Sequence, residues 1–426
     1  METAILIGLF LFFVLSGMPI AIAIAVTVLG FVTIFPVGTI SFFYQNMYSS
    51  LNSFPLLAVP FFILTGAIME TGGLSKRLVQ VANALVGNMT SGLAVVAILT
   101  CMFFGAISGS APATVAAISA IMIPYMVRYQ YSKAFSASLI STAGGLGIII
   151  PPSIPLIIYG IVTSTSIGDL FLAGIGPGLL VGACLIVMAI IVGGRRGYKG
   201  TGEERTLKSV GSAIWEAKWA LALPVIILGG IYGGIFTPTE ASVVGVFYGL
   251  FVGFFIYREL EIKQLVRILT DGGAIFGTIF LLFGFAVSLA FLVAIIQLPT
   301  QIQEMMSAIS SNKYVILLII NLFLLLVGML IDPMSANLIF SPILLQVVTP
   351  LGVDPVHFGI VVTLNLALGF VTPPLAANIF LSSTLTGVPV PALIRESLPF
   401  VAAMMVALLI VTFVPIIALF PLVLFK

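Results

Sequence analysis

Leu146-Gly147-Ile148-Ile149-Ile150-Pro151-Pro152 and, 222 residues later, Leu368-Gly369-Phe370-Val371-Thr372-Pro373-Pro374 decide how this chain folds. Each stretch lies inside a long apolar run that would otherwise cross a membrane as one helix. Adjacent prolines remove two backbone donors and clash with the preceding turn, and a nearby glycine admits dihedrals that other residues avoid. Carbonyls ahead of the prolines are then expected to lose their helical partners. Such groups are costly in hydrocarbon, so broken helices persist at membrane depth where they line a cavity or hold an ion. Paired breaks at matching places in two halves of a chain point to a secondary transporter's binding site.

Composition sets the class. Of 426 residues, 61% are hydrophobic and 7% charged, against roughly 25% charged in soluble domains. Several apolar runs reach the roughly 20 residues that span a bilayer, so the expected fold class is an all-α polytopic membrane protein. A net charge of +2, with its basic residues scattered, gives no footprint for nucleic acid. Cys101 and Cys184 lie in apolar runs without metal-ligand spacing, which suits packing. The first apolar run has no basic leader or cleavage site and reads as a retained span. Enzyme chemistry finds no support: there is no phosphate-cradling G-x-x-x-x-G-K-[ST] loop, His357 alone cannot build a zinc centre, and Ser108 or Ser110 has no base nearby in sequence.

The chain divides into a first repeat over 1–192, a linker over 193–218 and a second repeat over 219–426. Each repeat is expected to hold a re-entrant hairpin, near 91–127 and 314–350, followed by a broken helix, near 134–166 and 358–388. The arms of the first hairpin look marginal for a full crossing. Residues 5–35 are one long helix or two short ones, 40–52 and 74–88 read as interfacial helices, and spans are expected near 271–297 and 398–424. At the offset of 222, Leu146, Gly147, Pro151, Pro152, Ile157 and Pro177 fall on Leu368, Gly369, Pro373, Pro374, Ile379 and Pro399. The linker's excess of basic residues places it in the cytoplasm. Walking outward from it, the two hairpins open to opposite sides, so the repeats are inverted and present one central site to each side in turn.

Candidate ligands are mostly neutral oxygens: Ser108, Ser110 and Thr114 at the first tip, Ser335 and Asn337 at the second. Small residues at a lone position suit helix packing, whereas two tips matched to two breaks favour ion or substrate binding. One expected sodium site combines Ser108, Ser110, Gly145, Gly147 and Ile150, and the other Asp332, Ser335, Gly369 and Thr372. Ser108, Ser110, Pro152, Asn337 and Pro374 are the residues expected to meet substrate. The two tips are matched by their Ser-Ala pairs, Ser110-Ala111 and Ser335-Ala336. Asp332 is a carboxylate at membrane depth; it either balances a cation or caps a half-helix. Glu70, Asp169, Glu240 and Asp271 fit span ends, and His357 fits a surface or capping position.

Several motifs together resemble one family. Ser16-Gly17-Met18-Pro19-Ile20-Ala21, Gly105-Ala106-Ile107-Ser108-Gly109-Ser110, Ile150-Pro151-Pro152-Ser153, Gly233-Gly234-Ile235-Phe236-Thr237-Pro238-Thr239-Glu240-Ala241 and Thr372-Pro373-Pro374 are similar to the large membrane subunit of tripartite ATP-independent periplasmic (TRAP) transporters, most of all sialic-acid importers. The resemblance covers essentially the whole chain. It implies a sodium-coupled importer of organic anions in the bacterial inner membrane, working by an elevator motion. The implied partners are a small four-helix membrane subunit and a soluble periplasmic binding protein. The tips match the paired Ser-Asn-Thr tips of divalent anion/sodium symporters only in part. A stand-alone exchanger and an ion channel are the alternative readings.

Overall fold

Proline, glycine and hydroxyl caps set where the helices of this membrane protein start and stop. The computed structural model describes residues 2–202 and 206–425; Glu203, Glu204 and Arg205 of the linker lie outside the described residues. All regular structure among the described residues is helical.

The first repeat begins with α1 (Glu2–Leu15) and α2 (Ile20–Ile34), so residues 5–35 form two helices. Gly17, at φ 83°, and Pro19 part them. Next come α3 (Ile40–Leu51), a 3-10 turn at Phe54–Leu57, α4 (Ala58–Thr71) and α5 (Leu74–Val86). The first hairpin is α6 (Gly92–Ser108) and α7 (Ala111–Arg128). Around the first break lie α8 (Lys133–Ala143) and α9 (Ile154–Thr163), and α10 (Ile167–Arg195) closes the repeat. The linker contains α11 (Leu207–Glu216).

The second repeat runs through α12 (Lys218–Tyr232), α13 (Pro238–Phe251), α14 (Ile262–Ile295) and α15 (Leu298–Ile309). Its hairpin is α16 (Lys313–Leu330) and α17 (Pro333–Val348), and α18 (Pro355–Gly369) and α19 (Ala377–Thr386) flank the second break. Last come α20 (Val390–Phe413) and α21 (Ile416–Phe425). Two expected spans differ from these. α14 starts nine residues ahead of 271, where Glu261 and Gln264 form a capping box. The run 398–424 is divided near Pro415, which has no N–H to continue a helix.

The repeats are related through their contacts. α9 packs on α17 and its counterpart α19 packs on α7; α8 packs on α20 and α18 on α10; α2 packs on α14 and α13 on α4. Contacts that return with the partners exchanged are the property of a two-fold relation. Near its axis, a Cβ on Gly145 would lie 3.7 Å from the carbonyl oxygen of Ala367, its own counterpart at the offset of 222. By length and composition, α4 with the 3-10 turn ahead of it, α7 and α10 of the first repeat can cross a membrane, while α1, α2, α6 and α9 are shorter apolar helices. The exchanged contacts are those of two inverted repeats.

Eight helices among the described residues are long and apolar enough to cross, and three of them, α7, α16 and α17, are hairpin arms. Length alone therefore does not mark these arms as re-entrant. The tip does. Ile154 N donates to Gly109 O (3.3 Å), which holds the first tip at the middle of the broken helix. The hairpins, broken helices, α10 and α20 pack on one another as a bundle, and α1–α4 with α12–α14 pack together as a frame against it, while α5 and α15 touch both.

Candidate functional site

At the first tip, Ser108 ends α6, Gly109 turns the chain at φ 60°, and Ser110 caps α7, accepting from Ala113 N. Three oxygens converge there. Ser108 Oγ lies 3.0 Å from Thr114 Oγ1, Thr114 Oγ1 donates to Ser110 O (2.8 Å), and Ser108 Oγ lies 3.3 Å from Ser110 O. Ser108 and Thr114 are buried. Gly147 faces this triangle: a Cβ on it would sit 2.5 Å from Thr114 Oγ1 and 2.7 Å from Ser110 O. A Cβ on Gly105 would likewise lie 2.9 Å from Gly147 Cα. Tip and break can touch through oxygens only because both backbones are bare there.

The first break is partly self-capped, which the proline argument did not anticipate. Leu146 O accepts from the N–H groups of Ile149 (3.1 Å) and Ile150 (2.9 Å), and Ser153 Oγ donates to Ile148 O. Ser153, directly after the prolines, caps α9 and accepts from Leu156 N (3.4 Å). Of the other expected ligands, Gly145 faces Met404 and Ala367 across the repeat boundary, and the Ile150 side chain packs on Gly178. The would-be Cβ of Gly109 lies 2.7 Å from Pro152 O, which puts that carbonyl against the tip.

The second tip is built with different chemistry. Asp332 caps α17, accepting from Met334 N (3.0 Å), Ser335 N (3.1 Å) and Ser335 Oγ. Ser110 and Asp332 are both N-caps and stand 222 apart, so the pairing of Ser110-Ala111 with Ser335-Ala336 is corrected. The caps, each followed by a proline in the first turn, are what the two tips share. Asn337, fully buried, donates to Pro155 O (3.3 Å) in α9 and accepts from Ser341 Oγ (2.7 Å). Gly328 meets Gly369, with 2.6 Å from a Cβ on Gly369 to Gly328 Cα. Thr372 Oγ1 donates to Leu368 O (2.6 Å), and Pro374 is exposed.

Sequence reasoning missed the polar link between the two breaks. Asn378, in the first turn of α19, gives its N–H to Phe370 O (3.3 Å) and its side-chain amide to Ser141 O (3.2 Å) in α8. Ser141 and Ser382 also meet through their hydroxyls. His357 is not at the surface: its ring is buried, with Nε2 2.9 Å from Val411 O, while Asp354 caps α18. Glu240 stands in a capping box with Thr237, and Asp271 pairs with Arg267 on the exposed face of α14. A cavity of about 390 Å³ separates frame from bundle, between Ser49, Ser53 and Phe283 on one side and Ile161, Leu338 and Pro342 on the other.

No group of three or more His, Cys, Asp or Glu side chains converges among the described residues. Neutral hydroxyls and carbonyls against the 3-10 turn Gly144–Ile148 are hard oxygen donors that suit a hard cation. Fold and site together define a membrane protein of the secondary-transporter class. The model of the tripartite ATP-independent periplasmic transporter, DctM component, matches residues 7–417, and the chain belongs to that family. It is a multi-pass protein of the bacterial inner membrane.

The isethionate TRAP transporter permease protein DctMQ of Oleidesulfovibrio alaskensis is 44% identical over 98% of this chain, which spans 66% of that protein's length. The C4-dicarboxylate TRAP transporter large permease protein DctM of Pseudomonas aeruginosa is 41% identical, over 88% of this chain and 87% of its own. The sialic acid TRAP transporter large permease protein SiaM of Vibrio cholerae is 36% identical, over 94% and 93%. Among solved structures, the Alcanivorax borkumensis YdaH transporter superposes with a TM-score of 0.64 at 14% identity, covering 88% of this chain and 87% of its own, a likeness of fold alone.

Proposed function

We propose that this chain is the ion-coupled subunit of a sodium-driven importer of organic anions, acting with a small four-helix membrane subunit and a periplasmic substrate-binding protein. The observation that carries the reading is the oxygen triangle of Ser108, Ser110 and Thr114 against Gly147. Sodium is a co-substrate here, held between a tip and the backbone of a break. The second site draws on Thr372 and the carbonyls near Gly369. Ser335, whose hydroxyl is committed to Asp332, contributes less than its sequence position suggested.

Relatives named for isethionate, C4-dicarboxylates and sialic acid all handle organic acids that are anionic at neutral pH. The substrate class is therefore an organic acid. Sialic acid is one member, and the identities do not single it out. Anion recognition falls to Ser110 and the neighbourhood of Pro152 and Pro374, since the Asn337 side chain is spent inside the bundle. The central bundle carries the site past the frame, in an elevator motion.

One net charge moving inward yields about 2.3 kcal/mol per 100 mV. Two sodium ions with a monovalent anion supply that charge, and the sodium gradient adds to it. Proteoliposomes test the reading. Uptake is expected under an inward sodium gradient, only when binding protein and small subunit are both present. Equal uptake in sodium-free medium with acid outside would overturn the coupling. Saturable uptake by this chain alone would favour a stand-alone exchanger.

A further inference from the structure

The linker helix α11 carries chemistry that neither the ion sites nor the moving bundle uses. None of its described side chains is buried. Val210 and Ala213 are half-buried and α11 packs on α5, yet Ile214 and Trp215 are left 43% and 69% exposed. Both tryptophans of the chain, Trp215 and Trp219, flank the bend into α12. The Lys218 ammonium sits 3.5 Å above the ring of Trp215 and 5.6 Å from that of Trp219.

Orientation follows from the bend between two helices. α11 and the apolar α12 are long and apolar enough to cross only when taken together, and they are bent by 62° at their junction. Spans tilt on average by about 20° from the bilayer normal, so the bend sets α11 at roughly 42–82° from the normal, turned toward the membrane plane. Tryptophans with an apolar ring and a polar N–H collect at that depth. Charge supplies the second argument. Arg195, Lys199, Lys208 and Lys218 stand in and beside this segment, and among the described residues none of them has a carboxylate within ion-pair distance. Arg196 is held by Glu396 at 2.8 Å. The basic excess puts the segment in the cytoplasmic leaflet, whose surface is anionic.

We propose that α11 is a membrane-surface anchor that binds anionic phospholipid headgroups, with Trp215 set among them and Lys208 and Lys218 meeting their phosphates. The site lies where the chain leaves α10 of the bundle and enters α12 of the frame. Held there, α11 fixes the frame's end of the linker to the lipid surface.

The full-length chain carrying Trp219→Phe, which leaves Trp215 as its sole tryptophan, is reconstituted in phosphatidylcholine vesicles with or without phosphatidylglycerol. Phosphatidylglycerol brominated near the headgroup is expected to quench Trp215 more strongly than the same lipid brominated at the chain ends. It is also expected to quench more strongly than equally brominated phosphatidylcholine. Lys208→Gln and Lys218→Gln should each lower that preference about five-fold, and Lys→Arg at either position should retain it. Emission of a water-exposed tryptophan untouched by either brominated lipid would overturn the proposal. So would quenching indifferent to lipid charge, or protection of Trp215 only when the small subunit is added.

Discussion

Gly105 and Gly147 meet backbone to backbone: a Cβ on Gly105 would lie 2.9 Å from Gly147 Cα, and one on Gly147 would enter the oxygen triangle, 2.5 Å from Thr114 Oγ1. Gly147→Ala thus fills the space that a cation would share with those oxygens. Overpacking of this kind costs about 1–3 kcal/mol, and sodium-driven uptake is expected to fall at least ten-fold. Gly145→Ala is the control, because its nearest neighbours would be 3.6 and 3.7 Å away, ordinary contact. Sodium titrations of uptake compare the two variants. Loss of function in Gly145→Ala with Gly147→Ala intact would move the site to the repeat boundary.

Thr372→Val probes the second site. The Thr372 hydroxyl spends its hydrogen on Leu368 O, which leaves its lone pairs to face away from the helix. Removing one such oxygen contact, worth roughly 1 kcal/mol, raises the sodium concentration for half-maximal uptake about five-fold. Ile150→Thr, which restores the symmetry of the breaks, should not weaken the first site. If Thr372→Val lowers thermal stability equally with and without sodium while the titration stays put, the hydroxyl only steadies the break.

Much of the fold was legible because membrane burial leaves few alternatives. The doubled Gly-x-x-x-Pro-Pro signal located both breaks, and the run of small residues at Gly105–Ser110 located the first tip. Tip partners were not legible, since contacts across repeats leave no local period. Asn378 reaching Ser141, and Asn337 reaching Pro155, join residues 237 and 182 positions apart. Matching the tips by residue type also misled. Ser110 and Asp332 share a capping role, and a hydroxyl and a carboxylate serve it equally well.

Asp332 tests that equivalence. Asn at an N-cap is as good as Asp, so Asp332→Asn is expected to keep both thermal stability and sodium dependence close to those of the unaltered protein. Asp332→Ala removes the acceptor for Met334 N and Ser335 N and should cost about 1 kcal/mol of stability. A carboxylate that balanced a bound cation would behave otherwise. Asp332→Asn would then abolish sodium coupling with the fold intact, and the capping role would be secondary.

Gly66 tests whether the bundle moves. It lies on α4 of the frame, where a Cβ would stand 3.0 Å from Ser108 Cα and 3.3 Å from Ser108 O. A frame helix therefore leans directly on the backbone of the first tip. If the bundle slides along the frame, this contact exists in only one of its two positions. A side chain at position 66 then penalises that position alone. States that differ by a few kcal/mol exchange readily, so Gly66→Leu should drive the protein into the other position. Its melting temperature is expected to hold while uptake is lost, and Gly66→Ala should slow uptake with the half-saturating sodium concentration unchanged. A contact that persists through the whole cycle has no such escape. In that case Gly66→Leu would lower the melting temperature in step with the added volume, as overpacking of a fixed core does, and the sliding bundle would have to be given up.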